Sequence, residues 1–141
     1  MIYSLAEPTT RLMNELGLFL GTKCVFAEAE PLFRRALEIN EAAYGPTHPD
    51  VAIRLNNLAL LLQDTNRLGE AEPLFQRMAS ILKYFNDSTG HEHPHWRTAL
   101  ANYIGLLQAM GLSQEEIARR LQDVSGHPTS HSASSHAPKD F

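Results

Sequence analysis

The pentapeptide Ala29-Glu30-Pro31-Leu32-Phe33 returns unchanged as Ala71-Glu72-Pro73-Leu74-Phe75, and Arg35 and Ile39 return as Arg77 and Ile81, all 42 positions later. A second set of matches links Gly45, His48, Pro49, Leu55 and Asn57 to Gly90, His93, Pro94, Leu100 and Asn102 at a spacing of 45. A period of this length marks a chain assembled from copies of one supersecondary unit, each too small to bury its apolar side without a neighbour. The three extra residues fall near Phe85 to Asp87, where a connecting segment that tolerates insertion is expected.

Within each unit the apolar residues recur at steps of three and four, the period of a helix and not of a strand. Met13, Leu16, Gly17 and Leu20 define one helix and Ala29, Phe33, Ala36 and Leu37 the next. The second unit repeats this with Leu55, Leu58, Ala59 and Leu62, then Ala71, Phe75, Met78 and Leu82. The third has Leu100, Tyr103, Ile104 and Leu107, then Ile117, Leu121 and Val124, with Ile117 one residue later than the pattern places it. Helices this short are marginal in isolation, so packing between units and not propensity must hold them. Gly45 and Gly90 are expected to end second helices in a left-handed cap, and Pro49 and Pro94 to fall in the first turn of the helices that follow. Thr47 with Asp50 resembles a capping box, and Glu92 at the corresponding third-unit position is a poorer cap.

Composition narrows the function classes. Apolar residues make up 43% of 141 residues, enough for a continuous core, and the net charge of −4 supplies no basic face for nucleic acid or an anionic membrane. One cysteine, Cys24, can neither close an internal disulfide nor complete a cysteine-rich zinc site. The opening residues place no basic group before an apolar run, and no 18-residue apolar stretch occurs, so a soluble chain in the cytoplasm is the default expectation. The expected partition is a lead-in at 1–8, a repeat domain at 9–124 divided near 9–45, 46–89 and 90–124, and a disordered tail at 125–141 rich in Ser, His, Pro and Ala.

Leu55-x-x-Leu58-Ala59-x-x-Leu62 followed by Ala71, Phe75 and Met78 resembles the tetratricopeptide repeat. The spacing of 42 in place of 34, with Gly45-Pro46-Thr47-His48-Pro49-Asp50-Val51-Ala52 between hairpins and Leu55-Asn56-Asn57-Leu58-Ala59 after them, resembles the kinesin-light-chain type of that repeat. The resemblance implies an all-α, right-handed superhelical stack of about three helical hairpins that acts as a scaffold for protein–protein interaction. Its concave groove, lined by the first helix of each hairpin, would receive a peptide segment of a partner protein. Carried onto this sequence, the groove would show Arg11, Asn14, Glu15 and Leu18, then Ile53, Asn56, Asn57, Leu60 and Asp64, then Thr98, Ala101, Asn102 and Gly105. Asn57 and Asn102 match positions where related repeats grip a ligand backbone; the plainer alternative is that they satisfy neighbouring helices. Asn14, Thr98 and Asn102 stand where carboxylate-clamping repeats carry Lys or Arg, which disfavours a receptor for a C-terminal carboxylate.

Other chemistry is sparse. His91, His93 and His95 alternate and invite a metal, but His93-Pro94 repeats His48-Pro49 and no established ligand spacing is met, so neither metal nor cofactor is expected. There is no nucleophile elbow, phosphate loop or paired-histidine metalloprotease motif, and Cys24 falls at an expected hairpin turn, so no enzyme activity is expected. The alternative function is a structural fragment that self-associates or stacks on further repeats of a larger signalling assembly. Three hairpins are near the minimum for stability, and the first helix has few charges with which to cap the stack, which favours a partner at that end.

Overall fold

The computed structural model describes the backbone of residues 3–22 and 25–125 and the side chains of 7–20 and 25–124. Six helices form it: α1 (Tyr3–Thr22), α2 (Phe26–Tyr44), α3 (Pro49–Asp64), α4 (Leu68–Thr89), α5 (Trp96–Ala109) and α6 (Gln114–Ser125). They pair as α1–α2, α3–α4 and α5–α6, and each hairpin packs on the one before, so the expected all-α stack of hairpins is what the chain forms. Among the described residues no helix is long and apolar enough to cross a membrane.

Local chemistry starts and stops these helices. His48 is the N-cap of α3, and its Nδ1 accepts the Asp50 N–H at 3.1 Å, while Pro49 takes a first-turn position where a missing donor is harmless. The capping residue is therefore His48 and not Thr47. Ser113 and Glu116 form a reciprocal capping box before α6: Glu116 N–H donates to Ser113 Oγ at 3.2 Å and Ser113 N–H to Glu116 Oε2 at 3.3 Å. Gly90 ends α4 in the left-handed conformation at φ 71° that costs other residues about 1–2 kcal/mol.

Ala29, Phe33, Leu55, Leu58, Leu62, Phe75, Met78, Leu82, Tyr103 and Leu107 form a continuous core. Gly17 lets α1 approach α2 so closely that an added Cβ would sit 2.9 Å from the Phe33 ring. Phe75 stacks on Tyr103 of the next hairpin with centroids 6.0 Å apart. The second helices are tied in one direction: Glu30 and Glu41 of α2 accept from Arg67 and Arg77 at 2.7 and 2.9 Å, and Glu72 of α4 accepts from Arg120. These pairs are partly buried but their arginines keep contact with solvent, so each contributes roughly 1 kcal/mol and sets register more than stability. Arg54, buried where the first two hairpins meet, has its pKa lowered by that burial, with the charges of Glu7 and Asp50 opposing the shift.

Several expectations are corrected. The three extra residues do not lengthen a loop; they extend α4 to 22 residues against 19 for α2. Helical propensity continues through Phe85 to Asp87, with Lys83 paired to Asp87 one turn on at 2.7 Å. Pro94 lies ahead of α5, whose N-cap is His95, so the third unit's first helix starts later than its Pro suggests. Leu16 does not face the core; it is among the exposed large apolar side chains. Helix α1 begins at Tyr3, inside the segment expected as a lead-in. The late Ile117 is buried all the same, and Val124 with it. Cys24 and the tail beyond Ser125 lie outside the described residues.

One core position departs from the repeat. Asn40 is fully buried with neither Nδ2 nor Oδ1 paired, whereas the residue 42 positions on is Leu82, buried in the core. A buried amide without partners costs about 1–3 kcal/mol. Asn40→Leu is accordingly expected to stabilise the chain by about that amount in urea denaturation; unchanged or lower stability would mean that the amide is satisfied in solution.

Candidate functional site

Asparagines join the first helices of successive hairpins. Asn57 Nδ2 of α3 donates to Asn14 Oδ1 of α1 at 2.6 Å, and Asn102 Nδ2 of α5 donates to Asn56 Oδ1 of α3 at 3.1 Å. Asn14 and Asn56 are equivalent through the 42-residue spacing and Asn57 and Asn102 through the 45-residue one, so one amide clasp occurs twice. It ends at Ala101, which stands where Asn14 and Asn56 accept. An amide has two donors and a carbonyl, so each clasp engages only one side of each Asn. Asn57 Oδ1 and Asn56 Nδ2 remain for another partner, and neither is among the buried unpartnered atoms, which belong to Asn40, Arg54 and Tyr103.

Between α3 and α5 a pocket of about 130 Å³ opens beside these amides. Met78 and Leu82 of α4 help to close it, Ala52, Ile53 and Ala99 make its walls apolar, and Asn56, Asn57, His95 and Thr98 supply its polar groups. At roughly 30 Å³ per water-sized group, that volume suits one branched aliphatic side chain. Depth comes from the hairpin fold, since α4 runs behind the gap left by two neighbouring first helices. Polar groups that can fix a backbone lie next to an apolar hole that can take a side chain.

Of the residues the sequence singled out, the structure brings Ile53, Asn56, Asn57 and Thr98 together at this pocket. Arg11, Asn14 and Leu18 belong to α1 and do not line it: Arg11 is exposed and paired with Glu15 at 2.9 Å, Leu18 is exposed, and Asn14 is nearly buried in its clasp. Asn102 takes part through its bond to Asn56, and Leu60 packs partly buried against the core. Sequence reasoning missed Ala52, Met78, Leu82, His95 and Ala99. Their helical spacing marks Met78 and Leu82 as core, and only their position behind α3 and α5 makes them part of a site.

The histidines serve the backbone. His93 Nδ1 accepts the His95 N–H at 3.2 Å, the same bond in the third unit that His48 makes to Asp50 in the second. His93 is held further by its own N–H donating to Asn86 Oδ1 at 2.6 Å and by an edge contact with Phe85 at 5.0 Å. Among the described residues no group of three His, Cys, Asp or Glu side chains is arranged to hold a metal ion. On α2, the Arg67 hydrogen bond pulls the Glu30 carboxyl below its ordinary range.

A family model described as Tetratricopeptide repeat matches residues 9–83, which covers most of α1, all of α2 and α3 and most of α4. No curated protein sequence matches closely enough to serve as a relative.

Acid acts on His93, two residues before the pocket-lining His95. Burial, and then the His95 charge, hold its pKa below the ordinary 6.5. The unfolded chain therefore takes up this proton first, and the stability His93 contributes is complete above pH 6.5 and lost as pH falls through the lower folded value. Urea midpoints are expected to fall between pH 7 and 5, less steeply in His93→Gln, with the His93 ring titrating below 6.5 by NMR. Glu30, also depressed, gives up its contribution only at lower pH, as acid passes through its folded pKa. Identical pH slopes for His93→Gln and wild type would remove His93 from this role.

Proposed function

This chain belongs to the tetratricopeptide repeat family, and from that premise we propose that it holds a peptide segment of a partner protein between α3 and α5. Repeats of this family are non-catalytic scaffolds that generally mediate protein–protein interaction. The observation that carries the finer reading is the coincidence of half-used amides at Asn56 and Asn57 with an apolar pocket of about 130 Å³. Ligand peptide groups pair with Asn57 Oδ1 and Asn56 Nδ2 while one aliphatic side chain enters between Ile53, Met78, Leu82 and Ala99. Neutral hydrogen bonds contribute only about 0.5–1.5 kcal/mol each, so the anchor side chain supplies much of the affinity, which lies in the micromolar range. The 42-residue spacing supports the kinesin-light-chain type of repeat, and the acidic balance and single cysteine support a cytoplasmic setting.

A second reading is favoured by a different observation: Leu12, Leu16 and Phe19 lie along one exposed side of α1. That side is an attachment surface through which the chain associates with itself or with further repeats of a larger assembly.

A displayed peptide library selected on the full chain tests the groove. Selected sequences are expected to share one aliphatic position. Thr98→Trp, which closes the pocket mouth from an exposed position, and Ile53→Asp are each expected to weaken the selected peptide roughly ten- to a hundredfold, the equivalent of an aliphatic side chain burying about 1.5–3 kcal/mol. Helical circular dichroism should be unchanged in both variants. Affinity that survives both substitutions places the ligand on another surface.

A further inference from the structure

The spacings of 42 and 45 set Leu12, Leu16 and Phe19 of α1 in register with Arg54, Leu58 and Leu61 of α3 and with Ala99, Tyr103 and Leu106 of α5. In α3 and α5 none of these six side chains is more than 9% exposed, whereas in α1 the three are 67, 46 and 58% exposed. The difference has one cause: α2 lies against α3 and α4 against α5, and no hairpin precedes α1 among the described residues. The exposed row on α1 is thus the side that the repeat elsewhere covers with the second helix of a preceding hairpin.

The charges agree. Arg77 of α4 donates to Glu41 of the preceding hairpin at 2.9 Å and to the Pro46 carbonyl at 3.0 Å. Arg35 holds the same place on α2, but it is exposed and donates within its own helix, to Glu38. Ile81, buried in α4, has its counterpart in the half-buried Ile39. The end of the stack therefore presents an apolar row flanked by an arginine at the position that takes a carboxylate one repeat further on.

A second copy of this chain does not supply that cover. The exposed large apolar side chains of the described residues are Leu12, Leu16, Leu18, Phe19 and Tyr84, none of them in the last hairpin. The exposed side chains of that hairpin include Arg97 and Gln108 on α5 and Glu115, Arg119, Gln122 and Asp123 on α6 and no large apolar one, so head-to-tail addition would bring the α1 row no apolar counterpart. Two α1 faces pressed together would match apolar to apolar but bring no equivalent of Glu41 to Arg35, because Glu41 lies on the other side of α2 and is engaged with Arg77.

We propose that the α1 end of the stack docks a helical hairpin of the same repeat class that is not among residues 1–141. Its second helix lays aliphatic side chains on Leu12, Leu16 and Phe19 and presents a carboxylate to Arg35. The inference rests on the second reading above and is independent of the groove between α3 and α5.

An in-register graft supplies a hairpin of that chemistry. Residues 1–48 joined ahead of residues 7–141 place the chain's own first hairpin, with its Glu41, against Leu12, Leu16, Phe19 and Arg35 of the full stack. The urea midpoint is expected to rise by roughly 1 M in a single transition relative to the natural chain. Arg35→Glu in the receiving hairpin should lower that gain, and Glu41→Arg in the grafted hairpin should restore it. A graft that unfolds separately at an unchanged midpoint, or a charge swap that restores nothing, overturns the proposal. Light scattering on the natural chain should give a concentration-independent monomer; a dimer broken by Leu16→Glu would overturn it in favour of a second copy. Leu16→Glu leaves Ile53 and Thr98 untouched, so peptide capture by the groove reads separately from docking at this end.

Discussion

The packing of one hairpin's second helix against the first helix of the next governs the rest of this molecule. A two-helix unit can shield only the sides its helices turn toward each other, and helices of 12 to 22 residues need more than that to persist. The cover for the remaining side comes from a neighbour, which is why Leu58, Leu61, Tyr103 and Leu106 are buried and why Phe75 reaches across to stack on Tyr103. Glu30, Glu41 and Glu72 meeting Arg67, Arg77 and Arg120 add direction, with carboxylates on the earlier helix and arginines from the later unit. Register thus comes from charge and most of the stability from apolar burial, consistent with the small contribution of ion pairs that keep contact with solvent.

The same contact explains what a single sequence discloses and what it withholds. The 42-residue repeat and the steps of three and four gave six helices and their pairing, because periodicity reports which residues share a side. It does not report whether a neighbour covers that side. Leu16 and Leu58 are the same letter in the same register, yet one is exposed and the other fully buried. Local chemistry was the other blind spot. Thr47 has the better capping propensity, but His48 has the acceptor in reach of Asp50, and Phe85 to Asp87 read as a loop insertion although nothing in them breaks a helix.

At the candidate site the legible part was the first-helix surface. Ile53, Asn56, Asn57 and Thr98 follow from repeat positions alone and do line one pocket. Met78 and Leu82, which close it, belong to a helix that the sequence assigns to the core, and no pattern within α4 signals that two of its core residues also form a pocket wall. The asparagine clasp was equally hidden, since it joins residues 43 and 46 positions apart whose equivalence emerges only when the hairpins stack. The two readings of Asn57, as a ligand grip or as an internal tie, are therefore not exclusive: Nδ2 is committed to Asn14 while Oδ1 is not.

In the proposed groove, that division of one amide between fold and ligand constrains how binding can work. Asn56 and Asn57 are adjacent on α3, and each is fixed by a bond to a different neighbouring hairpin, to Asn102 on one side and Asn14 on the other. Their free groups are oriented before any ligand arrives, so little side-chain entropy is lost when it binds. The pocket between them lies across the joint of the second and third hairpins, with Ala52, Ile53, Met78 and Leu82 from one and His95, Thr98 and Ala99 from the other. A ligand seated there touches both hairpins and binds the stacked state better than an opened one. Occupancy then stabilises the same inter-hairpin contact on which the fold depends, by an amount set by ligand concentration over its dissociation constant.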